Sequence, residues 1–154
     1  MFNKIVVGLD GSESSQNALD YAIHIAQKEK AKLLLITVVE PIPPLAYSSP
    51  GGPPTYMSQL EQDLFEEATS MQNRHIERLK KAYPELDVEG TVKEGIASSV
   101  IKNFSMGSDL IIIGHRGQGR LISLLLGSVA KEVVDGCSVP VLIVKDKDYC
   151  PITH

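Results

Sequence analysis

Cysteine is scarce in this chain. Cys137 and Cys150 are not in CxxC spacing and cannot build a disulfide framework, which points to a reducing, cytoplasmic setting. Long apolar runs are also missing: the chain is 43% hydrophobic, yet no stretch approaches the ~18 residues that a membrane span requires. Basic excess is absent as well, and a net charge of -4 with a pI near 5.5 argues against a dedicated nucleic-acid binder. The histidines His24, His75, His115 and His154 lack metal-ligand spacing, so no metal site built from side chains alone is expected. Met1-Phe2-Asn3-Lys4 leads straight into a strand-like run, so no signal peptide is expected.

What is present is an alternation of buried strands and amphipathic helices. With 154 residues, one domain covering 1–154 is expected, burying roughly two-thirds of its unfolded surface. Lys4 to Leu9 reads as a first buried strand, and Ser12, Ser14 or Ser15 can cap a helix with the stripe Ala18, Leu19, Ala22, Ile23, Ile25 and Ala26, running to about Lys30. Lys32 to Val39 is a second strand. Six of the nine prolines then fall between Glu40 and Tyr56, which predicts an extended, poorly ordered excursion: a surface loop or, more pointedly, a lid over a ligand. Ser58-Gln59-Leu60-Glu61 has the form of a capping box, marking the next helix start, with Leu60, Leu64, Ala68, Met71, His75, Leu79 and Ala82 as its stripe up to Tyr83-Pro84. Asp87 to Lys93 is a more polar, edge-like third strand, and Ser98 begins a short helix closed by Gly107.

The stretch from Asp109 to Val134 organises the rest. Leu110 to Ile113 is an uninterrupted apolar run, as in a parallel strand buried on both faces. It ends at Gly114; Gly117 and Gly119 follow, and Gly127-Ser128 opens a segment with helical spacing. Glycine at a strand end permits positive φ and lets a ligand approach main-chain N–H groups, and the start of the helix behind favours an anion. Phosphate is the expected guest. The segment is neither a P-loop, since no lysine follows a glycine, nor a dinucleotide fingerprint, since Ile122 stands where the third glycine would be.

Gly114, two residues, Gly117, nine residues, then Gly127 and Ser128 resembles the nucleotide-binding signature of the universal stress protein family. The resemblance extends over essentially the full chain, least so in the Pro-rich excursion. It implies a Rossmann-like fold of the adenine nucleotide alpha hydrolase kind, and binding of ATP, or ADP or AMP, with Mg²⁺ inferred from the ligand's charge. In ATP-binding members the match to Asp10, beside Leu9, lies at the ribose and adenine end. The match to Val38 holds adenine through its backbone, and the matches to Gly114, Gly117, Gly127, Ser128 and Val129 surround the phosphates. The family also forms dimers. The nucleotide-dependent synthetases of similar fold carry an SGGxDS loop that has no counterpart in GLDGSESS.

Five strands alternating with four helices imply a doubly wound parallel α/β sheet with helices on both faces, and the order expected for it is 3-2-1-4-5, as in the Rossmann-like fold that the resemblance implies. Its ligand crevice lies at the switch point between the first and fourth strands, so Asp10 and Gly114 should face one crevice. Asp10 is a sugar-binding carboxylate or a turn residue capping the first helix. Arg120 can grip a terminal phosphate, as can Arg116 beside it, or both are solvated. His115, with no nucleophile or orienting carboxylate evident beside it, reads as a spacer in the turn. Micromolar affinity needs about 8 kcal/mol, and one helix end supplies at most ~2 kcal/mol. Loop N–H groups, Ser128, adenine burial beside Val38 and Mg²⁺ must therefore act jointly. Val141 to Val144 forms the last strand, and an apolar edge there would be covered by the same strand of a second copy. The expected function is a nucleotide-responsive regulatory module in stress adaptation; slow ATP hydrolysis, or a structural dimer without nucleotide, are the rivals.

Overall fold

The first strand, β1 (Lys4–Gly8), carries Ile5, Val6 and Val7 with no exposed surface, the pattern of a strand covered on both faces. This computed structural model describes residues 1–42, 54–117 and 126–146, with the backbone alone at 54–57. β1 sits at the centre of a five-stranded parallel sheet of order β3-β2-β1-β4-β5, completed by β2 (Lys32–Val39), β3 (Val88–Glu94), β4 (Leu110–Gly114) and β5 (Val141–Val144). The expected strand order is therefore the observed one, with β3 and β5 at the edges.

Helices cover both faces. α1 (Glu13–Glu29) and α2 (Pro54–Ala82) enclose a core of Ile5, Val7, Leu19, Leu33, Leu35 and Leu79. α3 (Ala97–Phe104) and α4 (Ser128–Gly136) enclose the opposite core of Val6, Ile36, Ile101, Ile111, Ile113 and Val133. α1 has a chemically defined start and stop. The Ser12 side chain accepts from the Ser15 N–H at 3.1 Å, and Lys30 at φ 56 turns the chain in the left-handed conformation, its N–H bonded to the Ala26 carbonyl.

α2 corrects two expectations. It begins at Pro54, not at Ser58, so Ser58 lies one turn inside the helix and the last residues of the expected excursion are helical. Proline is tolerated in a first helical turn, where its missing N–H has no partner to lose. The rest of the excursion, 43–53, and with it the lid reading, lies outside the described residues. The expected stripe holds at Leu79, which is buried, and at Leu60, Ala68, Met71 and His75, which are half-buried, but Leu64 and Ala82 are exposed and Gln72, outside the stripe, is 2% exposed.

Gln72 earns that position through its amide. Its Nε2 donates to the carbonyls of Leu35 at 3.0 Å and Thr91 at 2.8 Å, tying α2 to both β2 and β3. Gly90 beneath it gives the room, since a Cβ there would lie 2.7 Å from Ile76 Cδ1 and 3.1 Å from Gln72 Cδ. Gln72→Leu keeps the volume but deprives two strand carbonyls of a buried donor, and a loss of about 2 kcal/mol is expected in urea unfolding. A variant as stable as wild type would show the amide to be incidental.

Candidate functional site

The site begins where β1 runs out. Leu9 N–H donates to the Ile36 carbonyl at 2.8 Å, carrying the pairing one residue past β1 and delivering Asp10 to the carboxyl end of the sheet. Asp10 Oδ1 accepts from the Ser12 N–H at 3.0 Å and from Ser12 Oγ at 2.6 Å. The turn half of the alternative reading of Asp10 is thus seen in its Oδ1 atom, while the cap of α1 is Ser12 and not Asp10. The Oδ2 atom of Asp10 faces the other way, toward Gly117, where a Cβ would lie 2.7 Å from it.

The opposing wall comes from β4 and α4. His115 N–H donates to the Val144 carbonyl, and the Gly127 N–H returns to the His115 carbonyl, both at 2.8 Å. That second bond pins the start of α4 beside the end of β4. Gly127 is the N-cap of α4 and has no side chain to offer the N–H groups of the helix's first turn.

Between these walls lies a cavity of about 480 Å³, bordered by Asp10, Val38, Glu40, Gly117, Gly127 and Ser128. Leu9, Gly114, Arg116 and Val129 border it too, so nine of the ten residues singled out from sequence converge on one space. The tenth, Arg120, lies outside the described residues. Asp10 and Gly114 do face the same crevice despite about a hundred intervening residues, because β1 and β4 are hydrogen-bonded neighbours.

The glycines are needed for room rather than for torsion. Among the described glycines, positive φ occurs at Gly11, Gly95 and Gly107, not at Gly114, Gly117 or Gly127. A Cβ on Gly114 would sit 2.6 Å from Ser14 Oγ and 2.7 Å from the Ser14 carbonyl carbon; on Gly127 it would sit 3.1 Å from the His115 oxygen. The expectation of positive φ at the strand end is therefore corrected. Gly114 lets the first turn of α1 press against β4, and Gly127 lets α4 start against the β4 loop.

His115 is also reassigned. It is not a spacer but a buried side chain, 1% exposed, sharing a 3.0 Å hydrogen bond between its Nδ1 and Ser14 Oγ, with Asp146 Oδ2 at 4.0 Å from the same nitrogen. A hydroxyl and a carboxylate do lie beside it, brought there by α1 and by the chain after β5, at distances in sequence that no local pattern reveals. It faces α1 and does not border the cavity. Burial, opposed by the Asp146 charge and helped by Arg116, holds its pKa below the ordinary imidazole value. The unfolded chain therefore takes up this proton first. The stability due to neutral His115 is complete above about pH 6.5 and declines as pH falls through its folded-state pKa. Urea unfolding of His115→Asn is expected to have a shallower pH dependence in that acid window than wild type, and equal slopes would contradict the assignment.

Among the cavity residues that were missed from sequence, Glu40 is the charged one. Glu40 follows β2 directly and so stands at the carboxyl end of the sheet, as Asp10 does after β1; the same reasoning would have found it. Its Oε1 accepts from the Ala97 N–H at 3.1 Å, capping α3, whose own N-cap Ile96 brings no side-chain bond. The cavity thus has carboxylates at its β1 and β2 side, helix and loop N–H groups at its β4 and α4 side, and apolar Val38 and Ile101 in its floor. That polarity suits a ligand with hydroxyls at one end and anionic oxygens at the other.

Known proteins resemble this chain over nearly its whole length. It is 31% identical over 150 residues to the universal stress protein YxiE of Bacillus subtilis, covering 94% of this chain and 100% of that protein. Its fold superposes on the universal stress protein UspA from Lactobacillus plantarum with a TM-score of 0.78 at 23% identity, covering 93% and 97% of the two chains. A universal stress protein crystallised in complex with cAMP superposes with a TM-score of 0.58 at 26% identity, covering 94% and 97%. No helix among the described residues is long and apolar enough to cross a membrane. The profile of the Universal stress protein family matches residues 1–145, and with it this chain belongs to that family.

Proposed function

We propose that the cavity binds an adenine nucleotide, ATP or its ADP and AMP relatives, and that the protein is a cytoplasmic, nucleotide-responsive regulatory module in stress adaptation. The observation that carries this reading is the shared cavity: Asp10 on one wall, and Gly117, Gly127 and Ser128 on the other. In this reading Asp10 Oδ2 and Glu40 meet the sugar hydroxyls, Val38 and Ile101 flank the base, and the N–H groups around Gly117, Gly127, Ser128 and Val129 take the phosphates. Arg116 and Arg120 add charge at the phosphate end. The cAMP complex of a relative supports an adenine nucleotide as the ligand class. Mg²⁺, where present, would be held mainly by phosphate oxygens and water, since no cluster of three ligating side chains occurs among the described residues. It would neutralise phosphate charge, which Asp10 and Glu40 otherwise oppose.

Hydrolysis is no part of the proposal: of the two residues that could assist it, His115 faces α1 and not the cavity, and Arg120 lies outside the described residues. A homodimer through β5 is part of it. β5 is an edge strand whose Val141, Leu142 and Ile143 are only half-buried within one chain, and antiparallel pairing with a second copy would cover them.

Denaturing freshly purified protein and analysing the released small molecules by mass spectrometry tests the nucleotide reading. An adenine nucleotide is expected. Added Mg-ATP at about 100-fold its Kd is expected to stabilise the fold by about 2.7 kcal/mol. No released nucleotide together with no thermal shift would overturn the reading and favour a dimer with an empty crevice.

A further inference from the structure

A second cavity, of about 350 Å³, lies on the face of the sheet covered by α1 and α2. One wall is the turn into α1, with Ser12, Ser15 and Gln16; the other is α2, with Arg74, His75 and Arg78. Among the described residues no carboxylate borders it. Asp10, next to this turn, directs its Oδ1 at Ser12 and its Oδ2 toward Gly117. Glu77 on α2 pairs with neither arginine, and among the described residues neither guanidinium has a carboxylate within 4.0 Å.

Arg74 and Arg78 border this cavity and are at the same time exposed to solvent, so an anion can reach them. Arg74 and Arg78 are one helical turn apart, where like charges repel. Burial, then the charges of Arg78 and Arg74, hold the pKa of His75 below the ordinary imidazole value, with no carboxylate acting against them. The chain as a whole carries -4, with 19 acidic residues that could have supplied a partner. Two solvent-accessible arginines bordering one concavity, with no carboxylate within 4.0 Å among the described residues, are placed to hold an anion. Two guanidinium forks give it directed, paired hydrogen bonds, neutral His75 gives a further donor, and the positive end of the α1 dipole lies across the gap.

We propose that this cavity is a second ligand site, distinct from the first, for a small phosphate-bearing anion gripped by Arg74 and Arg78 against the turn into α1. The concavity and its size select a small molecule over an extended polyanion, which needs a continuous basic surface. The two cavities meet at Leu9 and Ser15, so they are neighbours with different walls. The proposal does not depend on what fills the first.

NMR on the full chain tests it, with inorganic phosphate titrated at constant ionic strength against chloride. A saturable shift is expected at the His75 ring and at the Ser12, Ser15 and Gln16 amides. In the double variant Arg74→Gln, Arg78→Gln the affinity is expected to fall at least about tenfold. Arg78→Lys, which keeps charge and helix while losing the fork, is expected to give a smaller loss, covering the case in which the double variant fails to fold. Equal response to chloride, shifts confined to Gly117, Gly127 and Ser128, or unchanged affinity in the arginine variants would each overturn the proposal.

Discussion

Gly117→Val leaves the sheet folded and removes nucleotide binding. The backbone at 117 is outside the left-handed region, so an L residue fits without strain. The atom that an added Cβ meets is Asp10 Oδ2 at 2.7 Å, the far end of a short exposed side chain that can shift at the expense of its Ser12 hydrogen bonds. The cost to the fold is therefore local. The cost to the site is not: the Cβ displaces the carboxylate assigned to the sugar, and the valine methyls enter the space assigned to the phosphates. Calorimetric titration with Mg-ATP is expected to show at least about 100-fold weaker binding, equivalent to about 2.7 kcal/mol, with the thermal midpoint of the free protein nearly unchanged. Wild-type affinity in this variant would remove the phosphate-loop assignment.

Gly114→Ala has the opposite signature. Here the added Cβ meets the Ser14 carbonyl carbon at 2.7 Å as well as Ser14 Oγ at 2.6 Å. Backbone in the first turn of α1 is held by the Ser12 cap and cannot rotate out of the way. The helix must lift from β4, disturbing the buried Ser14–His115 hydrogen bond with it. Overpacking of this kind costs about 3 kcal/mol, and a chain of this size loses roughly 2–4 °C of midpoint per kcal/mol. A fall of roughly 6–12 °C in thermal unfolding is expected. An unaltered midpoint would mean that α1 does not rest on Gly114.

The two glycines illustrate what was legible in the sequence. Their spacing after a continuous apolar run located the cavity, because a strand buried on both faces and the helix following it declare themselves through hydrophobic pattern alone. β2 and β5 were bounded correctly for the same reason, whereas the strand order was taken from the doubly wound fold type and is the observed one. Why each glycine is needed was not legible: Gly114 answers to Ser14 and Gly127 to the His115 carbonyl, and such approaches exist only after folding.

Polar burial was the other blind spot. Gln72 sits on a helix whose period allows several faces, and the partners that select its face are carbonyls of β2 and β3. His115 meets a hydroxyl 101 residues earlier in the chain. The Ser58 capping pattern was chemically sound, but a helix can start earlier when Pro54 fits its first turn, and local chemistry does not register that alternative.

The pairing of β1 with β4 also governs how the chain must be made. Ile5 is aligned with Leu110, and the Asp109 carboxylate accepts from the Asn3 N–H across 106 residues. Translation at about 5–20 residues per second leaves the first strand waiting roughly 5–20 s for this neighbour. Throughout that interval the nascent polypeptide displays an unmated β-edge beside the most apolar residues of the molecule. Premature association with other nascent chains, or capture by a holdase, belongs to that window, and it closes when β4 leaves the ribosome.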